Sequence, residues 1–174
     1  GMDLDFSTPG TLKISMIKYV KKILANFLEV ICSTSSSPAA DHLFEVRPDG
    51  VGKTFPAEQA VAFHHTVAQL LFLCRRARPY LQTPVSFPCT RVQKPDEDDW
   101  EKLKRVLKYL KGTLHMKLNL TADCLTTLKW WVDASYGVHW DSKGHTGMMM
   151  SLGKGAVMSF LRKQKLNAGS STEA

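Results

Sequence analysis

The spacing of apolar residues changes once along this chain, at Gly112, and this change limits the fold more than any other feature. Before Gly112, apolar residues recur every three or four positions, which predicts helices over 14–27, 57–78 and 95–113. After it come short β-type runs separated by glycine-rich or polar turns: HMKLNL, TLKWWVDAS, HTGMMMSLG and AVMSFLRKQK. The sequence therefore predicts an α+β fold, with helices first and an antiparallel sheet after them.

The helix predicted over 95–113 has the clearest end signals. Asp96 stands at the N-cap position, acidic residues fill the first turn, and Gly112 follows Lys111 at the C-terminal end. Its apolar stripe consists of Trp100, Leu103, Leu107 and Leu110. Acidic residues in a first turn compensate the helix dipole, and this explanation is favoured over a metal site.

The two earlier helices lead to predictions about their caps and buried faces. Ser15 is the expected N-cap of the first helix, and Pro79 is expected to end the second after Arg78. The second helix should bury one face, made of Val61, His64, Val67, Ala68, Leu71 and Cys74. The basic residues in its last turn complement the helix dipole and are also candidates for phosphate contacts: Arg75, Arg76 and Arg78.

The net charge of +7 is placed unevenly along the chain. Residues 1–100 hold 11 basic and 11 acidic residues, whereas residues 101–174 hold 12 basic and 5 acidic residues. The basic face of the third helix consists of Lys104, Arg105, Lys108 and Lys111. A basic half beside a neutral half favours a polyanionic partner such as nucleic acid. A lysine-rich face that keeps the protein soluble explains the charge alone about equally well.

The sequence also carries signals about the compartment. No apolar run reaches the length of a membrane span, and residues 1–10 have no basic-then-apolar signal peptide. The cysteines are far apart, which favours free thiols over a disulfide framework or a zinc site. We therefore expect a soluble intracellular protein, cytoplasmic or nuclear, that is not secreted and has no membrane partner.

Asp133 is the candidate for chemistry, because it ends an apolar run in KWWVDASYG. A strand core normally excludes a carboxylate unless the charge is paired, binds a metal or lies at the strand end. Asp133 is therefore either a surface residue at a strand end or one wall of a cation site.

Several blocks of the sequence, taken in order, resemble the polyprotein of copia-type LTR retrotransposons. They are KISMIKYVKKIL, AFHHTVAQLLFLCRRARP, DDWEKLKRVLKYLKGT, WWVDASYG, HTGMMMSLGKGAVMSFLRKQK and SSTEA. The resemblance covers nearly the whole chain and places it between the end of the reverse transcriptase and ribonuclease H. It implies a helical thumb and connection region followed by the first three strands of a ribonuclease-H-like antiparallel sheet.

The resemblance also implies domain boundaries. Residues 1–31 correspond to the end of the reverse transcriptase palm and the following helix, and residues 32–56 to a linker or loop. Residues 57–113 correspond to the helical thumb and connection region. Residues 114–174 correspond to a truncated ribonuclease-H-like domain, so the chain is expected to be a fragment of a longer polyprotein.

By the same resemblance, Asp133 is a ligand of the catalytic Mg²⁺ or Mn²⁺, and SSTEA opens the helix whose catalytic Glu would follow Ala174. Ribonuclease H chemistry uses two ions about 4 Å apart, which one carboxylate cannot hold. The Tyr-x-Asp-Asp motif of the polymerase site does not occur in the sequence. We therefore expect no complete polymerase or nuclease site, no activity of this chain alone, and no tightly bound ion.

The expected function is weak, sequence-independent binding of RNA, DNA or RNA–DNA hybrid. The residues predicted to bind it are Lys104, Arg105, Lys108, Lys111, Arg162, Lys163 and Lys165. Other expected partners are the missing parts of the polyprotein and, through an uncovered sheet face, a second copy of the chain. The alternative is a domesticated, non-catalytic structural or partner-binding protein derived from such an element.

The sequence departs from the family pattern at several positions. Tyr80 follows Arg-Pro where the family usually has Asp, and Leu161 replaces a small polar residue. Pro88 falls inside a segment that is expected to be helical, which costs about 3 kcal/mol at an interior position.

Overall fold

The protein is described by a computed structural model that covers residues 1–47 and 55–173. The helices are α1 (Ile17–Asn26), α2 (Ala57–Cys74), α3 (Gln82–Arg91) and α4 (Glu97–Gly112), and a 3-10 turn spans Pro79–Leu81. The strands are β1 (Asp3–Asp5), β2 (Thr11–Ser15), β3 (Leu118–Ala122), β4 (Lys129–Ser135), β5 (His145–Ser151), β6 (Gly153–Lys154) and β7 (Met158–Lys163). The α+β class is confirmed. Residues 48–54 of the predicted linker lie outside the described residues.

The strands form two antiparallel sheets. The first has the order β1-β2-β3-β6, so β3 pairs with β2 near the start of the chain. The second has the order β4-β5-β7 and is called sheet B below. In sheet B, Asp133 lies opposite Gly147, which lies opposite Leu161. Sheet B follows the helices, as the change of spacing at Gly112 predicted. The prediction that helices come first was wrong at the start of the chain, because β1 and β2 precede α1.

The hydrophobic core lies among the helices and β2. α1 buries Val20 and Ile23, α2 buries Phe63 and Leu70, and α4 buries the predicted stripe of Trp100, Leu103, Leu107 and Leu110. Burial of such side chains is the main favourable term in folding, so the helical part supplies most of the stability. Each helix in the described residues is too short or too polar to cross a membrane.

The predicted buried face of α2 was right only in part. Val67 and Cys74 are buried as predicted, and Leu71 packs against the core. Val61, His64 and Ala68 are exposed, and the rest of the buried face consists of Phe63, Thr66, Leu70 and Leu73. Apolar residues occur around most of the circumference of this helix, so their spacing fits more than one face. The packing against its neighbours then decides which face is buried.

The predicted ends of α4 were confirmed, and so was the predicted start of α2 at Ala57. Asp96 Oδ1 accepts hydrogen bonds from the backbone N–H groups of Asp98 and Asp99, both at 2.9 Å, and Asp99 Oδ2 accepts one from the N–H of Asp96 at 3.1 Å. These reciprocal bonds form a capping box. Arg91 Nε also donates to Asp99 Oδ2 at 2.9 Å, which links the end of α3 to the start of α4.

The other helix-end predictions were wrong. α2 ends at Cys74, because the N–H groups of Ala77 and Arg78 both turn back to the carbonyl of Leu73 at 3.0 and 3.2 Å. Ser15 belongs to β2, and α1 begins after Met16, which makes no side-chain cap. Within the described part of SSTEA, residues 170–173, the chain forms a turn and not the predicted helix.

At the C-terminal end, the chain turns instead of starting a helix. Glu173 Oε2 accepts a hydrogen bond from the N–H of Gly169 at 2.8 Å, and the N–H of Glu173 donates to the carbonyl of Ser170 at 3.2 Å. The carboxylate of Glu173 therefore binds the backbone before it and closes a local turn. In α3, by contrast, Pro88 lies inside the helix as predicted.

Sheet B is covered on one side only in part. Gln82 Nε2 of α3 donates to the carbonyl and the hydroxyl of Ser159 at 3.0 and 2.8 Å. Trp130 and Val132 nevertheless remain 50% and 68% exposed, and no residue of β4, β5 or β7 joins the main hydrophobic cluster of the described residues. The expected exposure of apolar side chains on this sheet is confirmed.

Candidate functional site

The basic residues on one face of α4 form two groups. Some bind acceptors elsewhere in the protein, and the others have no close partner in the described residues. Lys104 Nζ lies 2.8 Å from Glu29 Oε2 and 2.9 Å from Glu101 Oε1. Lys111 Nζ donates to the carbonyls of Ile31 and Cys32 at 2.6 and 3.0 Å, which fixes the chain after α1 against the end of α4. These two predicted nucleic-acid-binding lysines therefore already have protein partners.

Arg105 and Lys108 are the cations of this face that make no hydrogen bond or close ion pair within the described residues. The Arg105 Nε–H is buried and unpaired. The charge of Lys108 acts at longer range, since it helps to hold down the pKa of Glu29 after the dominant effect of Lys104. Both side chains extend from a helix whose opposite face is in the core, so their positions are well defined.

The second predicted basic group lies at the end of β7. Lys163 Nζ is 2.8 Å from Asp141 Oδ1 and 5.5 Å from the ring centre of Trp140. Arg162 is exposed and points to the other face of the sheet, because adjacent strand residues alternate. Lys165 is exposed beyond the strand. Arg162 and Lys165 are thus open to solvent, whereas Lys163 is held by a neighbouring turn.

Arg78 has a structural position that the sequence did not reveal. Its side chain is only 2% exposed, and Nη2 donates to the carbonyls of Thr113 and Leu114 at 2.7 and 3.1 Å. Nη1 donates to the hydroxyl of Tyr80. Arg78 therefore caps the end of α4 from the end of α2 and is not available for phosphate, which corrects one of the predicted phosphate contacts.

Asp133 lies in an exposed strand, and its Oδ1 accepts a hydrogen bond from the N–H of the next residue, Ala134, at 2.9 Å. It lines a largely apolar groove of about 470 Å³ together with Trp131, Gly147 and Leu161. Its carboxylate is therefore exposed to solvent and lies inside β4 rather than at the end of the strand.

The residues around Asp133 do not fit a two-ion site. The carboxylates nearest in sequence bind lysines: Asp123 Oδ2 lies 2.7 Å from Lys129 Nζ, and Asp141 is paired with Lys163. Across residues 1–47 and 55–173, no group of three or more His, Cys, Asp or Glu side chains could hold a metal. Mg²⁺ needs several oxygen ligands from different elements, so no reaction step can be assigned to Asp133.

A buried histidine pair was missed by the sequence reasoning. His139 Nε2 lies 2.8 Å from His145 Nδ1, and His145 Nε2 lies 3.3 Å from the hydroxyl of Ser86 in α3. The rings of Phe44 and Phe87 pack against them. Burial, followed by the charges of Lys163 and the other histidine, lowers the pKa of His139 to about 4. Two isolated histidines in a sequence give no signal that they will meet in this way.

The chain is similar to transposon proteins from a plant and a yeast. It is 28% identical over 177 residues to the retrovirus-related Pol polyprotein from transposon TNT 1-94 of Nicotiana tabacum, an alignment that covers 96% of this chain and 13% of that polyprotein. It is 26% identical to a putative transposon Ty5-1 protein of Saccharomyces cerevisiae, over 94% of this chain and 52% of that protein. The chain is a homologue of retrotransposon polyproteins.

The chain is also similar to the secreted RxLR effector protein 161 of Plasmopara viticola. The identity is 31% over 114 residues, which are 65% of this chain and 80% of the effector, so the two belong to one family. No family model and no solved structure matches the chain. The chain spans only about half of the yeast relative and a small part of the tobacco polyprotein.

In this retrotransposon polyprotein homologue, Asp133→Asn should change the free energy of unfolding by less than about 0.5 kcal/mol, as is usual for surface positions. The side chain is exposed, and its one hydrogen bond within residues 1–47 and 55–173 is the bond from the N–H of Ala134. Asp99→Asn is the matched control: it should cost about 2–4 kcal/mol, because Asp99 is buried and binds Arg91. Urea unfolding measures both changes. A melting temperature that Mg²⁺ raises in the original chain but not in Asp133→Asn would contradict this view of Asp133.

Proposed function

We propose that the chain is the part of a copia-type retrotransposon polyprotein between the reverse transcriptase thumb and ribonuclease H, and that it binds the nucleic-acid backbone without sequence preference. The observation that carries this proposal is the pair of uncompensated cations on α4, Arg105 and Lys108. The similarity to transposon proteins over 94–96% of the chain supports the origin.

The geometry of α4 suits backbone binding. Arg105 and Lys108 are three positions apart, so they lie side by side on one helix face. The opposite face is anchored by Trp100, Leu103 and Leu107 in the core. Phosphate contacts from a rigid element set the position of a duplex or hybrid and carry no base information. Binding should therefore be weak and equal for RNA, DNA and RNA–DNA hybrid of different sequences.

For the chemistry of ribonuclease H we propose a limited role. Asp133 supplies one carboxylate ligand for Mg²⁺ or Mn²⁺ only when carboxylates from other parts of a polyprotein complete the site. The exposed position of Asp133 in the open groove of about 470 Å³ supports this proposal, because another domain can reach it. Cleavage of an RNA–DNA hybrid by this chain alone, lost in Asp133→Asn, would contradict it.

The binding proposal predicts a steep salt dependence. Because each contacted phosphate releases a counterion, the logarithm of the affinity should fall by about 0.9 per contact for each tenfold rise in salt. Fluorescence anisotropy with a labelled random-sequence hybrid measures this slope. The double change Arg105→Gln and Lys108→Gln should weaken binding to every sequence and lower the slope by about 2.

The matched control removes the same charge from another helix. Lys21 and Lys22 are exposed on α1, and their replacement by Gln should leave at least half of the salt slope in place. Equal losses from the α1 and α4 variants would mean that only net charge matters and would contradict an interface on α4. An affinity independent of salt would contradict backbone binding altogether.

A further inference from the structure

Arg105 and Lys108 line an open cavity between α4 and the serine-rich loop at 33–42, called the α4 cavity below. Its volume is about 350 Å³. The loop contributes Ser33, Thr34 and His42, and α4 contributes Arg105, Lys108 and Lys102. The lining is therefore rich in hydrogen-bond donors, in contrast to the apolar groove beside Asp133.

The serine-rich loop at 33–42, which faces α4 across the cavity, is fixed by hydrogen bonds at its start and by a close approach to Gly112. Lys111 Nζ binds the carbonyls of Ile31 and Cys32, immediately before Ser33. Gly112 allows a close approach of the loop, since a Cβ at this position would lie 3.3 Å from the Cβ of Thr34. The last turn of α4 therefore fixes the hydroxyl-bearing loop beside Arg105 and Lys108.

The charges in the α4 cavity leave an excess of positive charge. Lys102 Nζ binds Asp98 Oδ2 at 2.7 Å, and His42 Nε2 lies 3.8 Å from the other oxygen of that carboxylate. Glu101 also lines the cavity, and its carboxylate is paired with Lys104. In these contacts, each positively charged side chain lies beside a carboxylate that offsets its charge. The two cations left without a close acidic partner in the described residues are Arg105 and Lys108.

We propose that the α4 cavity binds a phosphate group, with the Arg105 guanidinium and the Lys108 ammonium as its cations and hydroxyls of the loop as further donors. An arginine guanidinium matches a phosphate with parallel hydrogen bonds, and the buried, unpaired Nε–H of Arg105 gains an acceptor in this way. The source of the phosphate, a nucleic-acid backbone rather than the free ion, rests on the function proposed above.

The test is a titration of the isotope-labelled full chain with sodium phosphate, at constant ionic strength and pH 7, followed by NMR. The expected result is a saturable shift of the Arg105 Nε–H signal and of the backbone amides of residues 33–35. Arg105→Gln should weaken phosphate binding by at least about tenfold, and Arg105→Lys should also weaken it, because lysine keeps the charge but loses the fork of donors.

The matched control is Lys21→Gln, which removes the same charge from an exposed position on α1. It should leave phosphate affinity within about twofold of the original chain, since it lies outside the cavity. Circular dichroism of each variant verifies the fold, and Lys108→Gln serves as the second cavity variant if Arg105→Gln unfolds. No saturable shift in the original chain, or equal losses from Arg105→Gln and Lys21→Gln, would overturn the proposal.

A second arm identifies the source of the phosphate. A random-sequence DNA that shifts the same signals and competes with inorganic phosphate shows that the backbone enters the cavity. Phosphate binding without competition by DNA supports the cavity with the free ion as its ligand and places any nucleic-acid interface elsewhere. Salt-dependent DNA binding with no signal at Arg105 overturns the cavity and leaves a basic surface such as Arg162 and Lys165 to explain the binding.

Discussion

Arg78→Met should lower the free energy of unfolding by about 3 kcal/mol or more, the largest effect expected for a single polar side chain of this protein. The change removes the buried guanidinium of Arg78, whose Nη2 donates to the carbonyls of Thr113 and Leu114. Methionine fills a similar volume but leaves these acceptors, and the hydroxyl of Tyr80, without their partner. The measurement is urea unfolding followed by circular dichroism.

The reason for so large an effect is the position of Arg78 between two helices. A cation near a helix C-terminus interacts favourably with the dipole, and here it also binds the carbonyls that follow α4. Arg78→Lys should recover part of the loss, because an ammonium keeps the charge but cannot donate in the same fork. Arg75→Met is the control: Arg75 is exposed, so the cost should stay below about 0.5 kcal/mol. A similar cost for both changes would contradict the capping role.

The elements that could be predicted from the sequence are those whose signals are local. α4 has its cap, its first-turn acids and its apolar stripe within 96–112, and all of them were confirmed. The buried face of α2 could be predicted only in part, because a helix that is apolar on most sides is oriented by its neighbours. The pairing of β2 with β3 joins segments about a hundred residues apart and leaves no periodic trace.

The candidate site, like the fold, could be predicted from the sequence only where its signals are local. Alternation and helical spacing place Arg105 and Lys108 on one face of α4, but they do not reveal which lysines are already bound. Lys104 is paired with Glu29, a residue far away in sequence, and only the packing of the chain after α1 against α4 makes this contact. For the same reason Arg78 was grouped with its exposed neighbours, although its side chain turns into the protein.

The contact of sheet B with α3 should weaken as the pH falls from about 6.5 to about 4. The histidine pair is buried where β5 and the turn before it meet α3, and the pKa of His139 is lowered to about 4 by burial, by Lys163 and by His145. Between these pH values the unfolded chain binds a proton that the folded chain does not, so stability falls with falling pH. The loss begins near the ordinary pKa of histidine and is complete once the pH is below about 4.

The groups that face the pair favour the neutral state. Lys163 lies on β7 and repels a protonated histidine, and its own partner Asp141 is already engaged by that lysine and by Lys143. α3 and the loop before residue 48 contribute a hydroxyl and aromatic rings rather than charges: Ser86, Phe87 and Phe44. Asp141 still acts on His139 and raises its pKa, but burial and the charge of Lys163 outweigh this effect, so the neutral state of the pair is favoured.

Hydrogen exchange between pH 7 and pH 5 is the measurement, with rates corrected for the intrinsic effect of pH. Amides of β5 and β7 should lose protection from exchange as the pH falls. Amides of α4 should change little, because the hydrophobic core around this helix contains neither His139 nor His145. His139→Gln keeps a polar side chain that does not titrate, so it should remove most of this pH dependence even if it lowers stability at pH 7. His115→Gln, at an exposed position, should leave it intact. If β5 and α4 lose protection in parallel in the original chain, or if His139→Gln keeps the full pH dependence, carboxylates elsewhere in the protein control its acid sensitivity and the histidine pair does not.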